Sequence, residues 1–325
     1  MKQTSFTILL TTEQRGKIKQ ILSNGNYRSR EIPHTELAAE GRDCQISLYN
    51  SGKLLVQGRG AADWITFVLE PEVLGAARLG YEDLLDPEAI APHMGVDESG
   101  KGDFFGPLVV AAAYVDPQLA EAFRKLNVRD SKTISSDRAA EQMADDIRHL
   151  LGRRFSLVVI GPNTYNRLYA QIGNVNRLLA WGHARAIENL LAEVPECPRA
   201  LSDQFGPKHR IEYALKQRGL TIKLDQRHKA ESDPAVAAAS VLARAGFLKG
   251  LRELGQRHDV TLPKGASDRV QDVARQFVKK YGPAALNTVA KCHFKTTDSV
   301  LGDLGFDRHA LIQSPTAQKD DEETL

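Results

Sequence analysis

The stretch from residue 95 to residue 107, GVDESGKGDFFGP, places two carboxylates beside a glycine–lysine–glycine turn. Its spacing comes close to that of a phosphate-binding P-loop. That loop needs a hydroxyl after its lysine to hold Mg²⁺, and Gly102 occupies the position here. Asp97 and Glu98 would also repel phosphate unless a cation lay between them. We therefore interpret both acids as metal ligands, because Mg²⁺ binds carboxylate oxygens together with substrate phosphates.

Three further acids stand at comparable places along the chain. Asp203 ends the apolar segment RALSD, and Glu231 and Asp233 precede the helical segment PAVAAASVLAR. Ligand sites of α/β sheets form at strand ends, so these acids are expected to converge. Clustered carboxylates repel one another, and divalent cations relieve that repulsion. Two such cations can clamp both oxygens of an in-line phosphoryl displacement.

The segment KAESDP leaves two candidates for a fourth acid. If it is extended, Glu231 and Asp233 lie on the same face, so geometry alone does not choose between them. Asp233 directly precedes Pro234 and is therefore a natural N-cap for the following helix. Glu231 lies outside that helix and has one more methylene group with which to reach a metal. The local pattern thus favours Glu231.

These acids need a sheet to hold them. Strand-like segments alternate with helical ones after residue 92; the strand-like ones are HMGVDE, PLVVAAAYV, FSLVVIG, RALSDQF and LTIKL. The near-continuous apolar run PLVVAAAYV is typical of a strand buried on both faces. The alternation predicts an α/β fold. Neighbouring strand residues point to opposite faces, so Asp97 and Glu98 can share a metal only if the strand bends at Glu98.

A smaller unit is predicted before this sheet. Residues 1–70 form an α+β pattern: the strand SFTILLT, a helix capped by Thr11 or Thr12, a hairpin around Asn50-Ser51-Gly52, and a helix ending near Leu69. We assign residues 71–92 to a connector, 93–314 to the catalytic domain and 315–325 to a disordered acidic tail.

Composition excludes several other classes of protein. The chain has 325 residues and a net charge of +2, which is too small for a protein that binds nucleic acid through bulk charge. Three scattered cysteines indicate neither a disulfide framework nor a zinc site, so a cytoplasmic location is expected. No apolar run reaches the ~18 residues of a membrane span, so no membrane partner is expected. We expect a monomer because no apolar stripe requires a partner.

Several motifs together resemble one family. GVDESGKGDFFGPLVVAA, RDSKTIS, ALSDQF and HKAESDPAVAAASVLAR are similar to segments of ribonuclease HIII, a bacterial type 2 ribonuclease H that cuts the RNA strand of RNA–DNA hybrids. The resemblance covers about residues 93 to 300. It implies a ribonuclease H-like catalytic domain with a mixed sheet flanked by helices. It also implies that residues 1–70 form a TATA-binding-protein-like domain that grips the hybrid.

The resemblance also implies roles for individual residues. Asp97, Glu98 and Asp203 match the metal-binding catalytic acids, and Glu231 matches the fourth. The turn Gly100-Lys101-Gly102 matches the motif that reads the hybrid, and Lys132 in RDSKTIS is expected to contact phosphate. The implied metal is Mg²⁺, with Mn²⁺ as an alternative, and the implied products carry 3′-hydroxyl and 5′-phosphate ends.

Two other functions compete with this one. A DNA-cutting nuclease of the same superfamily would not need the Gly-Lys-Gly turn, whose backbone is suited to approach a ribose 2′-hydroxyl. A non-catalytic nucleic-acid binder would not need the set of acids. His183, His228 and His293 lack metal-ligand spacing and are expected to be structural or solvated. The basic clusters, KCHFK (291–295) among them, are expected to be solvated faces.

Overall fold

The structure is a computed structural model. It describes residues 5–74, 87–128, 131–203, 206–216, 222–227 and 230–312. The chain divides into two compact units, Met1–Glu88 and Ala89–Leu325. Residues 75–86 of the predicted connector and all of the predicted acidic tail lie outside the described residues.

The first unit is built on an antiparallel sheet with the strand order β1-β5-β4-β3-β2. Its strands are β1 (Ser5–Leu9), β2 (Arg28–Arg30), β3 (Thr35–Gly41), β4 (Cys44–Tyr49) and β5 (Lys53–Gln57). The predicted hairpin is confirmed, since β4 and β5 pair around the Asn50–Gly52 turn. β2 and β3 were not predicted, because the charged and small residues of TELAAEG hide the strand alternation.

Helix α1 (Thr12–Asn24) follows β1 and is capped by Thr11, which settles the choice between the two threonines. The Thr11 hydroxyl accepts a hydrogen bond from the Gln14 N–H at 3.3 Å. The Gln14 side chain accepts one from the Thr11 N–H at 3.0 Å. This reciprocal pair is a capping box, and it satisfies two backbone donors that a helix start leaves open.

The helix that follows β5 runs further than predicted. α2 (Ala61–Trp64) continues as a π-helix over Ile65–Leu74, past Leu69 and through Pro71. The prediction that it ends near Leu69 is therefore wrong. Leu69 and Val73 are both buried, so the apolar face continues beyond the predicted end. Pro71 lies on the exposed side of the helix.

The second unit confirms the predicted α/β class. Its sheet has the strand order β10-β9-β6-β7-β8. The strands are β6 (His93–Ser99), β7 (Leu108–Val115), β8 (Phe155–Ile160), β9 (Arg199–Asp203) and β10 (Lys223–Arg227). β7 pairs antiparallel with β6 and β8, whereas β9 pairs parallel with β6 and β10, so the sheet is mixed. β10 ends three residues beyond the predicted LTIKL because it pairs with β9 as far as Arg227.

Helices surround this sheet. They are α3 (Pro87–Ile90), α4 (Pro117–Lys125), α5 (Asp137–Leu151), α6 (Pro162–Ile172), α7 (Val175–Glu193), α8 (His209–Lys216), α9 (Pro234–Arg257), α10 (Asp268–Tyr281), α11 (Leu286–Val289) and α12 (Lys295–Gly302). The predicted break between α6 and α7 is confirmed at Gly173, which has a φ of 66°. α3, α4, α11 and α12 were not predicted.

The core lies between α9 and the central strands. Every residue of β7 is buried, as its apolar run predicts. A Cβ on Gly95 of β6 would lie 2.1 Å from the Val236 nitrogen, so only glycine allows α9 to approach β6 this closely. α9 has the length and composition of a membrane span, and 78% of its most apolar window is buried inside the protein, as in a core helix.

Candidate active site

Two of the candidate acids, Asp97 and Asp203, lie toward the carboxyl ends of β6 and β9. These strands run parallel, and Val96 pairs with Ser202. Asp97 and Asp203 are the next residues on their strands and therefore lie at the same end of the sheet. An Asp203 carboxylate oxygen accepts a hydrogen bond from the Ala230 N–H at 3.3 Å. Glu231 follows in a 3₁₀ turn, Ala230–Ser232, and its side chain lies outside the described part of the chain.

β6 lacks the bend at Glu98 that Asp97 and Glu98 would need in order to share a metal. Its pairing with β7 continues regularly through Glu98 and Ser99. Asp97 and Glu98 therefore point to opposite faces of the strand, toward different helices. Asp97 is hydrogen-bonded by Ser240 of α9, whereas Glu98 Oε2 lies 3.0 Å from His183 Nε2 of α7. The turn comes two residues later than expected, at Gly100, whose φ is 90°.

Burial affects both neighbouring carboxylates, but their different partners shift their pKa values in opposite directions. Burial, with the Glu98 charge, raises the pKa of Asp97 to about 7, despite its hydrogen bonds from Ser240 and the Glu98 N–H. Burial also acts to raise the pKa of Glu98, but the His183 hydrogen bond and the charges of His183, Lys101 and Lys132 outweigh it. The Glu98 pKa is thereby held below its usual range. Nearby positive charge would therefore stabilise the ionised forms of Asp97 and Glu98.

A divalent cation fits this donor set. The candidate ligands are all carboxylates, which Mg²⁺ and Mn²⁺ prefer. Within the described residues, no three or more His, Cys, Asp or Glu side chains are grouped to hold a metal ion by themselves. The Glu231 side chain is outside that set. Mg²⁺ usually keeps several water ligands and binds few carboxylates together with substrate oxygens, so a full cage of protein ligands is not required.

The Gly100-Lys101-Gly102 turn lies directly beside Glu98. A Cβ on Gly100 would lie 2.3 Å from the Pro107 carbonyl oxygen, so this glycine is required by close packing as well as by its φ. Gly102 faces open space. Lys101 Nζ lies 3.8 Å from Glu98 Oε1, and its side chain is 37% exposed. The turn thus leaves the backbone at Gly102 uncovered and places the Lys101 ammonium group beside the Glu98 carboxylate.

A cavity of about 310 Å³ opens next to Glu98 and Ser240. Lys132, Arg244 and Lys264 line it. Arg244 and Lys264 both pair with Asp137, at 2.9 Å and 2.7 Å. Lys132 is exposed, and its charge acts on both Asp97 and Glu98. The structure thus brings Lys132 to the candidate acids; its sequence neighbour Asp130 lies outside the described residues.

Asp233 is the N-cap of α9, as predicted. One of its carboxylate oxygens accepts hydrogen bonds from the Ala235 N–H at 2.9 Å and the Val236 N–H at 3.3 Å. The same carboxylate lies 2.9 Å from His93 Nε2. Asp233 is only 2% exposed. These partners occupy the carboxylate and leave it little freedom to reach a metal.

Two buried residues near the site were given no functional role from the sequence: His183 was expected to be structural or solvated, and Lys291 to belong to a solvated basic face. His183 is fully buried against Glu98, although its spacing gave no sign of a functional role. Lys291 is also fully buried, so the expectation that KCHFK is a solvated basic face is wrong for this residue. His293 packs between Tyr165 and Tyr169, and burial lowers its pKa to about 4, which confirms a structural role. His228 lies outside the described residues.

Comparisons with known proteins identify the family of the chain. The family model for ribonuclease HII matches residues 94–297. A ribonuclease HIII of Protochlamydia amoebophila is 42% identical over 92% of this chain and 98% of the relative. One of Chlamydia trachomatis serovar L2 is 37% identical with the same coverage of each chain. The crystal structure of Bst-RNase HIII in complex with Mn²⁺ matches with a TM-score of 0.65 and 27% identity, over 92% of this chain and 99% of that one. The chain belongs to the ribonuclease HIII family of metal-dependent endoribonucleases that act on RNA–DNA hybrids.

Proposed function

We propose that Asp97, Glu98, Asp203 and Glu231 are the acids with which this chain cuts the RNA strand of a hybrid. One observation carries the proposal: Asp97 and Asp203 directly follow the paired residues Val96 and Ser202 of two parallel strands and so lie at the same end of the sheet, with Lys101 of the Gly-Lys-Gly turn beside Glu98. Asp203 also accepts a hydrogen bond from the residue preceding Glu231. We leave Asp233 out of the proposed set because its carboxylate caps α9 and contacts His93.

Asp97, Glu98 and Asp203 would hold divalent cations, with Mg²⁺ as the metal in the cell and Mn²⁺ as a substitute. When bound, two such cations lower the pKa of the attacking water and stabilise the charge on the leaving oxygen. The protein's own contribution is to hold its carboxylates in place. Asp97 is fixed by Ser240 and the Glu98 N–H, and Asp203 by the Ala230 N–H.

We assign substrate selection to the residues around the proposed catalytic acids. The exposed backbone at Gly102 would approach a ribose 2′-hydroxyl, which distinguishes RNA from DNA. Lys101 and Lys132 would contact phosphate oxygens near the cleaved bond. The compact first unit, with no proposed catalytic acid, would grip the hybrid. Products would carry 3′-hydroxyl and 5′-phosphate ends.

We also propose that the protein works as a monomer in the cytoplasm. All three cysteines are free and buried, which suits a reducing compartment. Light scattering coupled to size-exclusion chromatography tests the oligomeric state, and a mass near 36 kDa is expected.

A cleavage assay on three substrates tests the function. End-labelled RNA–DNA hybrid, DNA duplex and RNA duplex are incubated with the full chain in Mg²⁺, in Mn²⁺ and in excess chelator. We expect cutting of the hybrid alone, and only with metal. Efficient cutting of the DNA duplex would assign the chain to a DNA nuclease. Tight hybrid binding without cutting in either metal would indicate a non-catalytic binder.

A further inference from the structure

One imidazole connects the two strands that bear the candidate acids. His183 lies on α7 and is fully buried. Its Nε2 lies 3.0 Å from Glu98 Oε2, on β6. Its Nδ1 lies 3.3 Å from the hydroxyl oxygen of Ser202, on β9, and Ser202 directly precedes Asp203. The two ring nitrogens therefore face two different acid-bearing strands.

These contacts form a continuous chain of hydrogen bonds when both ring nitrogens carry a hydrogen, because the single Ser202 hydroxyl hydrogen goes to Asp203 and its oxygen must then accept from Nδ1. An ionised carboxylate only accepts, so Nε2 donates to Glu98. The Ser202 hydroxyl donates to the Asp203 carbonyl oxygen at 2.9 Å. The chain thus runs from the Glu98 carboxylate through the ring to the main chain of Asp203. A substitution of His183 is therefore expected to change the distance between Glu98 and Asp203.

The ring itself has little freedom to move. Its neighbours on α7, Gly182 and Ala184, are buried, and a Cβ on Gly182 would lie 2.9 Å from a methyl group of Val110. α7 therefore packs tightly on β7 beside His183. Glu98 is a long side chain that loses much rotamer freedom when it is fixed, and it is 13% exposed. The rigid His183 ring, which donates to the Glu98 carboxylate, therefore favours one rotamer of Glu98 before a metal binds.

We propose that His183 is a positioning residue, which fixes the Glu98 carboxylate and its spacing from Asp203 for metal binding. The inference rests on the proposed function, because it takes Glu98 and Asp203 as metal-binding acids. It adds a residue that touches neither metal nor substrate. Residues that orient metal ligands in this way typically contribute 10–100-fold in metal affinity or activity.

A matched pair of substitutions separates positioning from packing. His183→Leu introduces an apolar side chain of similar size and removes the hydrogen-bond donor. His183→Gln retains an N–H group at a comparable distance from the backbone, so it can still donate to Glu98. A purely structural histidine would be replaced at least as well by leucine, because the site is buried.

The two variants and the wild-type chain are titrated with MnCl₂ by calorimetry, and kcat and KM are measured on RNA–DNA hybrid. For His183→Leu we expect a Kd for Mn²⁺ raised by about 10–100-fold and a similar fall in kcat, with KM for the hybrid unchanged. His183→Gln should recover most of both losses. Equal behaviour of the two variants, or wild-type metal affinity in His183→Leu, would overturn the proposal.

Two further variants keep the test decisive. Glu98→Gln is measured in parallel; if it cuts hybrid at the wild-type rate, the failure belongs to the proposed function and not to His183. If His183→Leu does not fold, Ser202→Ala takes its place, since it removes the contact to β9 and leaves the Glu98 contact intact. We then expect a smaller loss of Mn²⁺ affinity in the same direction, and unchanged affinity in Ser202→Ala would count against the proposal.

Discussion

The ammonium nitrogen of Lys291 lies 2.6 Å from the carbonyl oxygen of Gly106, inside the protein core. A second contact reaches the Phe105 carbonyl at 3.2 Å. These carbonyls belong to the segment that follows the Gly-Lys-Gly turn, and the Pro107 carbonyl packs against Gly100. The buried Lys291 side chain thus donates hydrogen bonds that stabilise the segment next to the turn that is proposed to contact the substrate.

The first prediction concerns the cost of burying this cation. Burial lowers the pKa of Lys291 to about 7, from 10.5 for an exposed lysine. Between these pH values the unfolded chain binds more protons than the folded one, so stability rises with pH. The slope approaches about 1.4 kcal/mol per pH unit for one proton. Lys291→Met should remove this rise.

Denaturant unfolding at pH 7, 8 and 9 checks the prediction. Trp181 fluorescence in a Trp64→Phe background reports on the second unit alone, because the chain has only two tryptophans. The difference between the two proteins in the slope of unfolding free energy against pH reports on Lys291 alone, because the other titrating groups are present in both proteins. Parallel slopes for the two proteins would contradict a strongly lowered pKa.

The second prediction concerns the acids at the two strand ends. Asp97→Asn and Asp203→Asn should each lower metal-dependent cleavage of hybrid by orders of magnitude, because each removes a charged metal ligand. Hybrid binding and melting temperature should change little, since asparagine keeps similar shape and can still accept hydrogen bonds. Asp145→Asn, at an exposed helix position paired with Arg148, is the matched control and should cut normally. Comparable turnover by either active-site variant would remove it from the metal site.

The third prediction concerns the contact between β6 and α9. Gly95→Ala would place a Cβ 2.1 Å from the Val236 nitrogen and 2.2 Å from the Ala235 carbonyl carbon. Both are backbone atoms at the start of a buried helix, so relief requires the helix to move. We expect a loss of about 3 kcal/mol or more in unfolding free energy. Gly302→Ala has open space around its Cβ and should cost little. Equal stability of the two variants would contradict the packing.

Some of this site could be predicted from sequence because its causes are local. The β7 strand was predicted because an unbroken apolar run is the pattern of a strand buried on both faces. The Asp233 cap was predicted because Pro234 marks the first helical position. His183 and Lys291 could not be predicted in the same way. Their partners lie 85 and 185 residues away, so their contacts are set by how distant elements pack.

The fourth prediction separates Glu231 from Asp233. Asp233 caps α9 and also contacts His93, and it is almost fully buried. Asp233→Asn keeps a capping oxygen, so we expect it to retain cleavage with a modest loss of stability. Asp233→Ala should lose about 1 kcal/mol for the cap and about 1–3 kcal/mol for the unpaired His93 ring.

Glu231→Gln should behave in the opposite way. It leaves the cap of α9 untouched, so the melting temperature should stay within about one degree of the wild-type value. If the Glu231 carboxylate completes the metal site beside Asp203, turnover on hybrid should fall by orders of magnitude. Calorimetric titration with Mn²⁺ gives a second readout that is independent of cleavage. Glu253→Gln, at an exposed position paired with Lys249 on α9, is the control for the same chemical change. An active Glu231→Gln together with an inactive but stable Asp233→Asn would reverse the assignment, because the cap would then be the metal ligand.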